Sequence, residues 1–324
     1  MKKILITGVS GFIGSHLAQA LSEKGYEVYG VLKFSTSRDK KSLDSFLKDT
    51  ITLTCDIVDY QSVSNTLKTV DPDVVVHLAA LSPVRDSFEK PLSYVRNNVE
   101  GTLNIAHSML GLPDFKMRKL IYASTAEVYG IQKASPIKED APLNPTSPYS
   151  VTKAMTDQYL RMMTNVYGLN TTVMRCTNTY GRKLDSSFYI EYLVTTMLKG
   201  EKVYIGAPTS LRDYMYVTDH VNAYISAIEH FDIKGEAFNA SLIEEISNKE
   251  VAYKIADMIG YDKKKIVLGK YPPNYPLRPL ISDQPFILLD NKKIKEKFGW
   301  KPTVPLDKGL KMAIDYWKKK YQGG

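Results

Sequence analysis

A short apolar strand runs straight into a glycine-rich turn and a helix. Apolar strands and amphipathic helices then alternate through the first half of the chain, and past about residue 178 that alternation loosens. Such alternation builds parallel strands into one sheet with helices on both faces. The predicted class is α/β, a doubly wound parallel sheet of Rossmann type with a smaller, partly interleaved C-terminal domain. Residues 1–180 are expected to form the sheet domain, with 213–240 returning to it and 181–324 forming mainly the second domain.

The elements follow from local pattern. Strands are expected near Lys3–Thr7, Glu27–Leu32, Ile51–Thr54, Val74–His77, Lys119–Ala123 and Thr171–Arg175, each a brief apolar run. Helices are expected near Phe12–Lys24, Tyr60–Thr69, Pro91–Leu110 and Pro148–Tyr167. Gly25 stands where a left-handed residue closes a helix. Ser147 is a good N-cap and Pro148 a good first helical residue. Later helices are expected near Phe188–Lys199, Asp219–Phe231, Asn291–Phe298 and Leu306–Lys320, with short strands near Lys202–Tyr204 and Ala237–Asn239. Prolines make Tyr271-Pro272-Pro273-Asn274-Tyr275-Pro276 an extended loop.

With 324 residues, 44% hydrophobic and 24% charged, the chain suits one large domain or two modest ones rather than disorder. No apolar run reaches the roughly 18–20 residues that span a bilayer. The stretch Ile4 to Ile6 suits a buried strand better than a signal peptide. Two scattered cysteines, Cys55 and Cys176, form no disulfide framework or zinc site, which implies a reducing cytoplasm and no metal. The net charge of +8 is spread along the chain, with excesses at Lys263-Lys264-Lys265 and Lys318-Lys319-Lys320 that solvated helix ends explain without nucleic acid. A positive balance also suits a site holding two anionic diphosphates.

Gly8-Val9-Ser10-Gly11-Phe12-Ile13-Gly14 carries the first functional inference. Between strand and helix, its glycines permit a tight turn and let a pyrophosphate approach the backbone, while the helix N-terminus offers unpaired N–H groups. Gly8, Gly11, Phe12, Ile13 and Gly14 are therefore expected to hold a dinucleotide. The second strand ends Leu32-Lys33, with no carboxylate before Asp39. Lys33, Ser35 and Arg38 can grip a 2′-phosphate, so NADP is favoured over NAD, unless they are a solvated loop. Asp56 is placed to meet the adenine edge, or is a turn residue.

Tyr149 and Lys153, four apart near a helix start, share one face. A phenol of ordinary pKa near 10 is a poor base at neutrality, and an adjacent ammonium together with an oxidised nicotinamide favours its phenolate. Such a phenolate can take the proton of a substrate hydroxyl, expected here to be a sugar's. Beyond the fifth strand, Ser124-Thr125-Ala126-Glu127 lies where ligands of parallel sheets bind. Thr125 can hydrogen-bond the reacting hydroxyl, and Glu127 can serve as base and acid, or else is a surface loop residue.

As a set, these features resemble the extended short-chain dehydrogenase/reductase family, in particular its nucleotide-sugar epimerases and dehydratases, over nearly the whole chain. The resemblance rests on the glycine turn, His77-Leu78-Ala79-Ala80, Asn98-Val99-Glu100-Gly101-Thr102, the Thr125 segment and Tyr149/Lys153. It extends through Arg175-Cys176-Thr177-Asn178-Thr179-Tyr180-Gly181, Arg212-Asp213-Tyr214 and Gly299-Trp300-Lys301-Pro302. It implies further cofactor contacts at Ile57, Leu78, Ala79, Ala80 and Asn98. For a nucleotide-diphosphate sugar it implies Ser82 and Val84 along the sugar pocket, Asn178 near the diphosphate, and Arg212 and Arg278 paired with its oxygens. It also implies a homodimer in which Pro91–Leu110 and Pro148–Tyr167 of two copies make a four-helix bundle, although those faces can instead pack within one chain. Arg182 stands where relatives mostly carry proline.

The reaction expected first is 4,6-dehydration. Dehydratases of this family carry Thr-Asp-Glu or Thr-Ser-Glu, and this chain has Thr125-Ala126-Glu127, which keeps the glutamate. The Glu27 to Arg38 segment is most similar to GDP-mannose 4,6-dehydratases, which use NADP. Alternatives are a 4-epimerase, which usually lacks a carboxylate at the Glu127 position, a 4-keto-6-deoxy-sugar reductase, to which Leu277-Arg278-Pro279 is similar, and a catalytically idle binding protein.

Overall fold

The structure, a computed structural model, describes residues 2–33, 45–183, 185–273, 275, 279 and 283–322. Strands are numbered in chain order: β1 Lys3–Thr7, β2 Glu27–Leu32, β3 Ile51–Thr54, β4 Val74–His77, β5 Lys119–Ala123, β6 Asn170–Cys176, β7 Asn178–Tyr180, β8 Val203–Ile205, β9 Leu211–Tyr216, β10 Glu236–Ala240, β11 Glu245–Ser247, β12 Ile266–Leu268 and β13 Phe286–Ile287. Seven form a wholly parallel sheet in the order β10-β6-β5-β4-β1-β2-β3. The chain leaves β1 in one direction and returns through β4 in the other. A crevice therefore opens at the carboxyl ends of β1 and β4, the place where doubly wound sheets bind ligands.

Period-two alternation sends successive strand residues to opposite faces. Ile4, Ile6, Val74, Val76 and Ile121 pack on one face with Leu17 and Leu21 of α1 (Phe12–Glu23). Leu5, Val75 and Leu120 pack on the other with Val63 and Leu67 of α2 (Tyr60–Val70). Each such fully buried aliphatic side chain stabilises the fold by about 1.5–3 kcal/mol. Next come a short α3 (Val84–Glu89) and a long α4, assembled from Pro91–Tyr94, a π-helical turn Val95–Glu100 and Gly101–Leu110. The expected uniform α-helix over 91–110 is thus interrupted, and the π turn carries Asn98.

The first six expected strands match, with β6 one residue longer at each end. Helix α5 (Pro148–Tyr167) starts as expected: Ser147 and Ser150 form a reciprocal capping box and Pro148 takes the first turn. In the second half, α6 (Tyr189–Leu198) precedes α7 (Val217–Glu229), which begins two residues earlier than its spacing suggested. Helix α8 (Asn248–Ile259) is a correction, since no helix was expected there. Helices α9 (Lys292–Phe298) and α10 (Leu306–Gln322) end the chain's regular structure. A second sheet, β11-β9-β13, with β7 paired to β9, stands beside the large one. Among the described residues, no helix is long and apolar enough to cross a membrane.

Candidate active site

The turn after β1 is built so that only glycine fits. Gly8 has φ +71°, and a Cβ on it would lie 2.8 Å from the Ala79 amide nitrogen. A Cβ on Gly14 would lie 2.9 Å from the Val9 Cα. Among the described residues no side chain caps the first helix at Gly11, and its first turn holds no acidic residue, which suits its N-terminal N–H groups to an anion. A cavity of about 550 Å³ opens over this turn, lined by Gly8, Gly11, Phe12, Ile13, Gly14, Leu78, Ala80 and Ser82. Tyr149 and Lys153 line the same cavity. An uncapped helix start beside glycines that admit no side chain, in a cavity of this size, fits a dinucleotide.

Tyr149 is the second residue of α5, so the helix N-terminus favours its anion. Its phenol is nearly buried, touches the Tyr94 ring edge-on at 6.4 Å, and is in hydrogen-bond contact with Thr125. Burial and then the Glu127 carboxylate push its pKa up, and the Thr125 contact partly offsets them. Lys153 is 3% exposed. Its ammonium donates to the Ala123 carbonyl at 2.7 Å and lies 4.8 Å above the Tyr122 ring. Burial lowers it to about 7. The acidified phenol expected from the neighbouring ammonium is therefore not a property of the two residues by themselves, because burial raises the phenol and lowers the ammonium.

The loop after β5 is held from beneath. Asp157, one turn beyond Lys153 on α5, accepts from Ser124 Oγ at 3.1 Å and makes a bidentate pair with buried Arg175, at 2.8 and 3.0 Å. Arg175 also donates to the Tyr129 hydroxyl at 2.8 Å. Both ends of the short 3₁₀ turn Ala126–Tyr129 are thereby fixed, with Thr125 accepting from the Glu127 amide at 3.3 Å. Glu127 comes close enough to Tyr149 for its charge to act on the phenol. On the far side, His77 bridges Thr7 at 2.6 Å and Thr102 at 3.0 Å, and burial lowers its pKa to about 3.

The other expected site residues are placed as follows. Lys33, at the end of β2, lies 3.8 Å from the Asp56 carboxylate, which also accepts from the Val58 amide. Ile57 is buried against Gly101, and Ala79 donates its amide to Thr7 Oγ1 at 3.2 Å. Asn98 does not line the cavity. Its amide accepts from Leu81 N–H at 2.8 Å and donates to the Leu81 carbonyl and to Thr152, which fixes the loop leading to Ser82. Val84 opens α3, and Asn178 is an exposed first residue of β7. Arg212, on β9, donates to the Leu211 and Gln284 carbonyls. Ser35, Arg38 and Arg278 lie outside the described residues. Ser124, Phe188, His220 and Tyr224 also line the cavity and were not anticipated, and Arg182, noted only as a departure from proline, joins them.

A family model described as GDP-mannose 4,6 dehydratase matches residues 5–313. A putative UDP-glucose 4-epimerase of Methanocaldococcus jannaschii is 31% identical over 320 residues, covering 97% of this chain and 98% of the relative. The crystal structure of a Thermotoga maritima UDP-glucose 4-epimerase with UDP-glucose superposes with TM-score 0.88 at 31% identity, covering 98% of this chain and 99% of that one. A dTDP-glucose 4,6-dehydratase of Streptomyces venezuelae with NAD bound superposes with TM-score 0.88 at 25% identity, covering 99% and 98%. The chain therefore belongs to the GDP-mannose 4,6 dehydratase family, among the nucleotide-sugar dehydratases and epimerases of the extended short-chain dehydrogenase/reductases.

Proposed function

We propose that this enzyme is a nucleotide-sugar 4,6-dehydratase, and the observation that carries the reading is a carboxylate, Glu127, within electrostatic reach of the Tyr149 phenol. A bound nicotinamide ring supplies the acceptor for hydride from C4 and its return to C6. Tyr149, whose phenolate the positive charge of an oxidised nicotinamide would favour against its burial, takes the proton of the C4 hydroxyl, which Thr125 orients. The C4 ketone acidifies the C5 hydrogen, and Glu127 removes it as general base. Protonated Glu127 then gives that proton to the C6 hydroxyl, which departs as water. Recharged from solvent, Glu127 returns a proton to C5. Ala126 offers no second acid, so Glu127 serves in both directions.

In this reading residues 1–180 with 213–240 hold the cofactor, and 181–324 mainly hold the sugar nucleotide. The glycine turn takes the cofactor diphosphate, Asp56 meets the adenine edge, Ile57, Leu78, Ala79 and Ala80 complete the cofactor site, and Asn98 serves it by holding the Leu81 loop from behind. Lys33, Ser35 and Arg38 favour the 2′-phosphate of NADP. Ser82 and Val84 border the sugar, while Asn178, Arg212 and Arg278 serve its diphosphate. Two copies pair through α4 and α5, where Leu92, Val95, Val151 and Met155 are exposed apolar residues.

A second reading, 4-epimerisation, is favoured by the 31% identity to a putative epimerase and by Ala126. It uses the same Tyr149 step and returns hydride to the opposite face of C4. Incubation with a panel of nucleotide sugars and mass spectrometry of the products decides. Loss of one water supports dehydration, and its disappearance in Glu127→Gln supports the base. Unchanged mass with a new isomer overturns the proposal in favour of epimerisation.

A further inference from the structure

We infer that Arg182 is a binding residue for the diphosphate of the dinucleotide held over the glycine turn, a contact added to the cleft by the second half of the chain. The inference rests on the dinucleotide reading of the cavity. Arg182 follows Gly181, whose φ of +107° bends the chain. Glu191, 1% exposed, accepts from both the Gly181 and Arg182 amides, at 2.7 and 2.9 Å, and so fixes this backbone from within the core. The side chain enters the cavity between two rings. Its guanidinium carbon is 4.3 Å from the centroid of Phe12 and 3.4 Å from that of Phe188. Phe12 is the first residue of α1, so this stacking sets a full positive charge beside the uncapped helix start.

The charges complement one another. The helix terminus offers about half an elementary charge, while a diphosphate brings more negative charge than that terminus matches. The planar fork of a guanidinium matches the oxygens of a phosphate. Asp185 also lines the cavity, but its carboxylate accepts from the Ser187 amide at 2.9 Å. His220 supplies the independent pointer to a ligand. It is 8% exposed and lines the same cavity, its Nδ1 is 2.7 Å from Thr179 Oγ1, and its buried Nε2 has no hydrogen-bond partner among the described residues. A neutral imidazole with an unused nitrogen beside Arg182 is a second group able to meet the ligand.

The test uses Arg182→Met, which keeps an aliphatic stem between the rings, and Arg182→Lys, which keeps charge without the fork. Equilibrium dialysis of the purified full chain against labelled dinucleotide, ADP-ribose, UDP and dTDP reads affinity directly. The expected result is a loss of about 10- to 100-fold for dinucleotide and ADP-ribose in Arg182→Met. Partial recovery in Arg182→Lys is expected, with UDP and dTDP binding changed by less than about 2-fold. Unchanged ADP-ribose affinity would overturn the inference. So would an equal loss for all four ligands with a lowered melting temperature, because Arg182 would then serve only the fold, its charge offsetting that of buried Glu191. A parent protein that binds neither dinucleotide nor ADP-ribose would instead sink the dinucleotide reading beneath it.

Discussion

Replacing Arg175 with methionine tests the support under the loop that carries Thr125 and Glu127. Arg175 is 1% exposed, and its bidentate partner Asp157 is fully buried. Two charge-assisted hydrogen bonds at 2.8 and 3.0 Å are lost, together with those to the Tyr129 hydroxyl and the Glu139 carbonyl. Breaking a buried pair from one side costs about 3–5 kcal/mol, since the remaining charge stays desolvated. Arg161, 3.2 Å from the same carboxylate and 37% exposed at its side chain, offers partial compensation. The expected loss is therefore near the lower end, about 3 kcal/mol. Chemical denaturation followed by circular dichroism measures it. Asp157→Leu/Arg175→Met, which removes both charges, should lose less than the single variant. A single variant within about 1 kcal/mol of the parent, or a double variant worse than the sum of the two singles, would refute the reasoning.

Other expectations concern the turn, the buried histidine and the outer helix faces. Gly14→Ala places a methyl 2.9 Å from the Val9 Cα, so it should cost about 1–3 kcal/mol and weaken dinucleotide binding, as read by melting temperature and calorimetry. His77 titrates at about 3 when folded, because burial, then Lys153, disfavours its charge, against about 6.5 unfolded. The unfolded chain thus binds more protons between these values, and this residue makes stability fall as pH drops below about 6.5. Relative to the parent, His77→Gln should flatten that fall by about 1 kcal/mol per pH unit near pH 5, checked by denaturation midpoints across the range. Leu92 is 82% exposed and Met155 50%. If α4 and α5 pair two copies, Leu92→Glu/Met155→Glu should shift the light-scattering mass from dimer to monomer.

Much of the large sheet was legible because its signals are local. Short valine- and isoleucine-rich runs, a glycine turn after β1 and the Ser147-Pro148 start of α5 each fix an element without long-range knowledge. The second half resisted because β7, β9, β11 and β13 are strands of two to six residues, whose pairing depends on contacts distant in sequence. Helix α8 was readable after all. Ser247 and Glu250 make a reciprocal capping box and Gly260 a left-handed stop, a pattern present in the sequence. The π turn around Asn98 carries no composition signal. Within the site, spacing on one helix put Tyr149 and Lys153 together, but the direction of the phenol's shift depends on burial, which spacing does not encode. Phe188, His220 and Tyr224 reach the cleft from α7 and the loop before α6, and only tertiary packing brings them there.

The central proposal is that Glu127 moves the C5 proton. The most direct measurement is turnover of a nucleotide sugar in deuterium oxide, with the product's C5 position read by proton NMR. Dehydration through Glu127 predicts one solvent deuterium at C5 in a product that has lost water, and neither change in Glu127→Gln. Turnover that leaves the C5 hydrogen in place would contradict it.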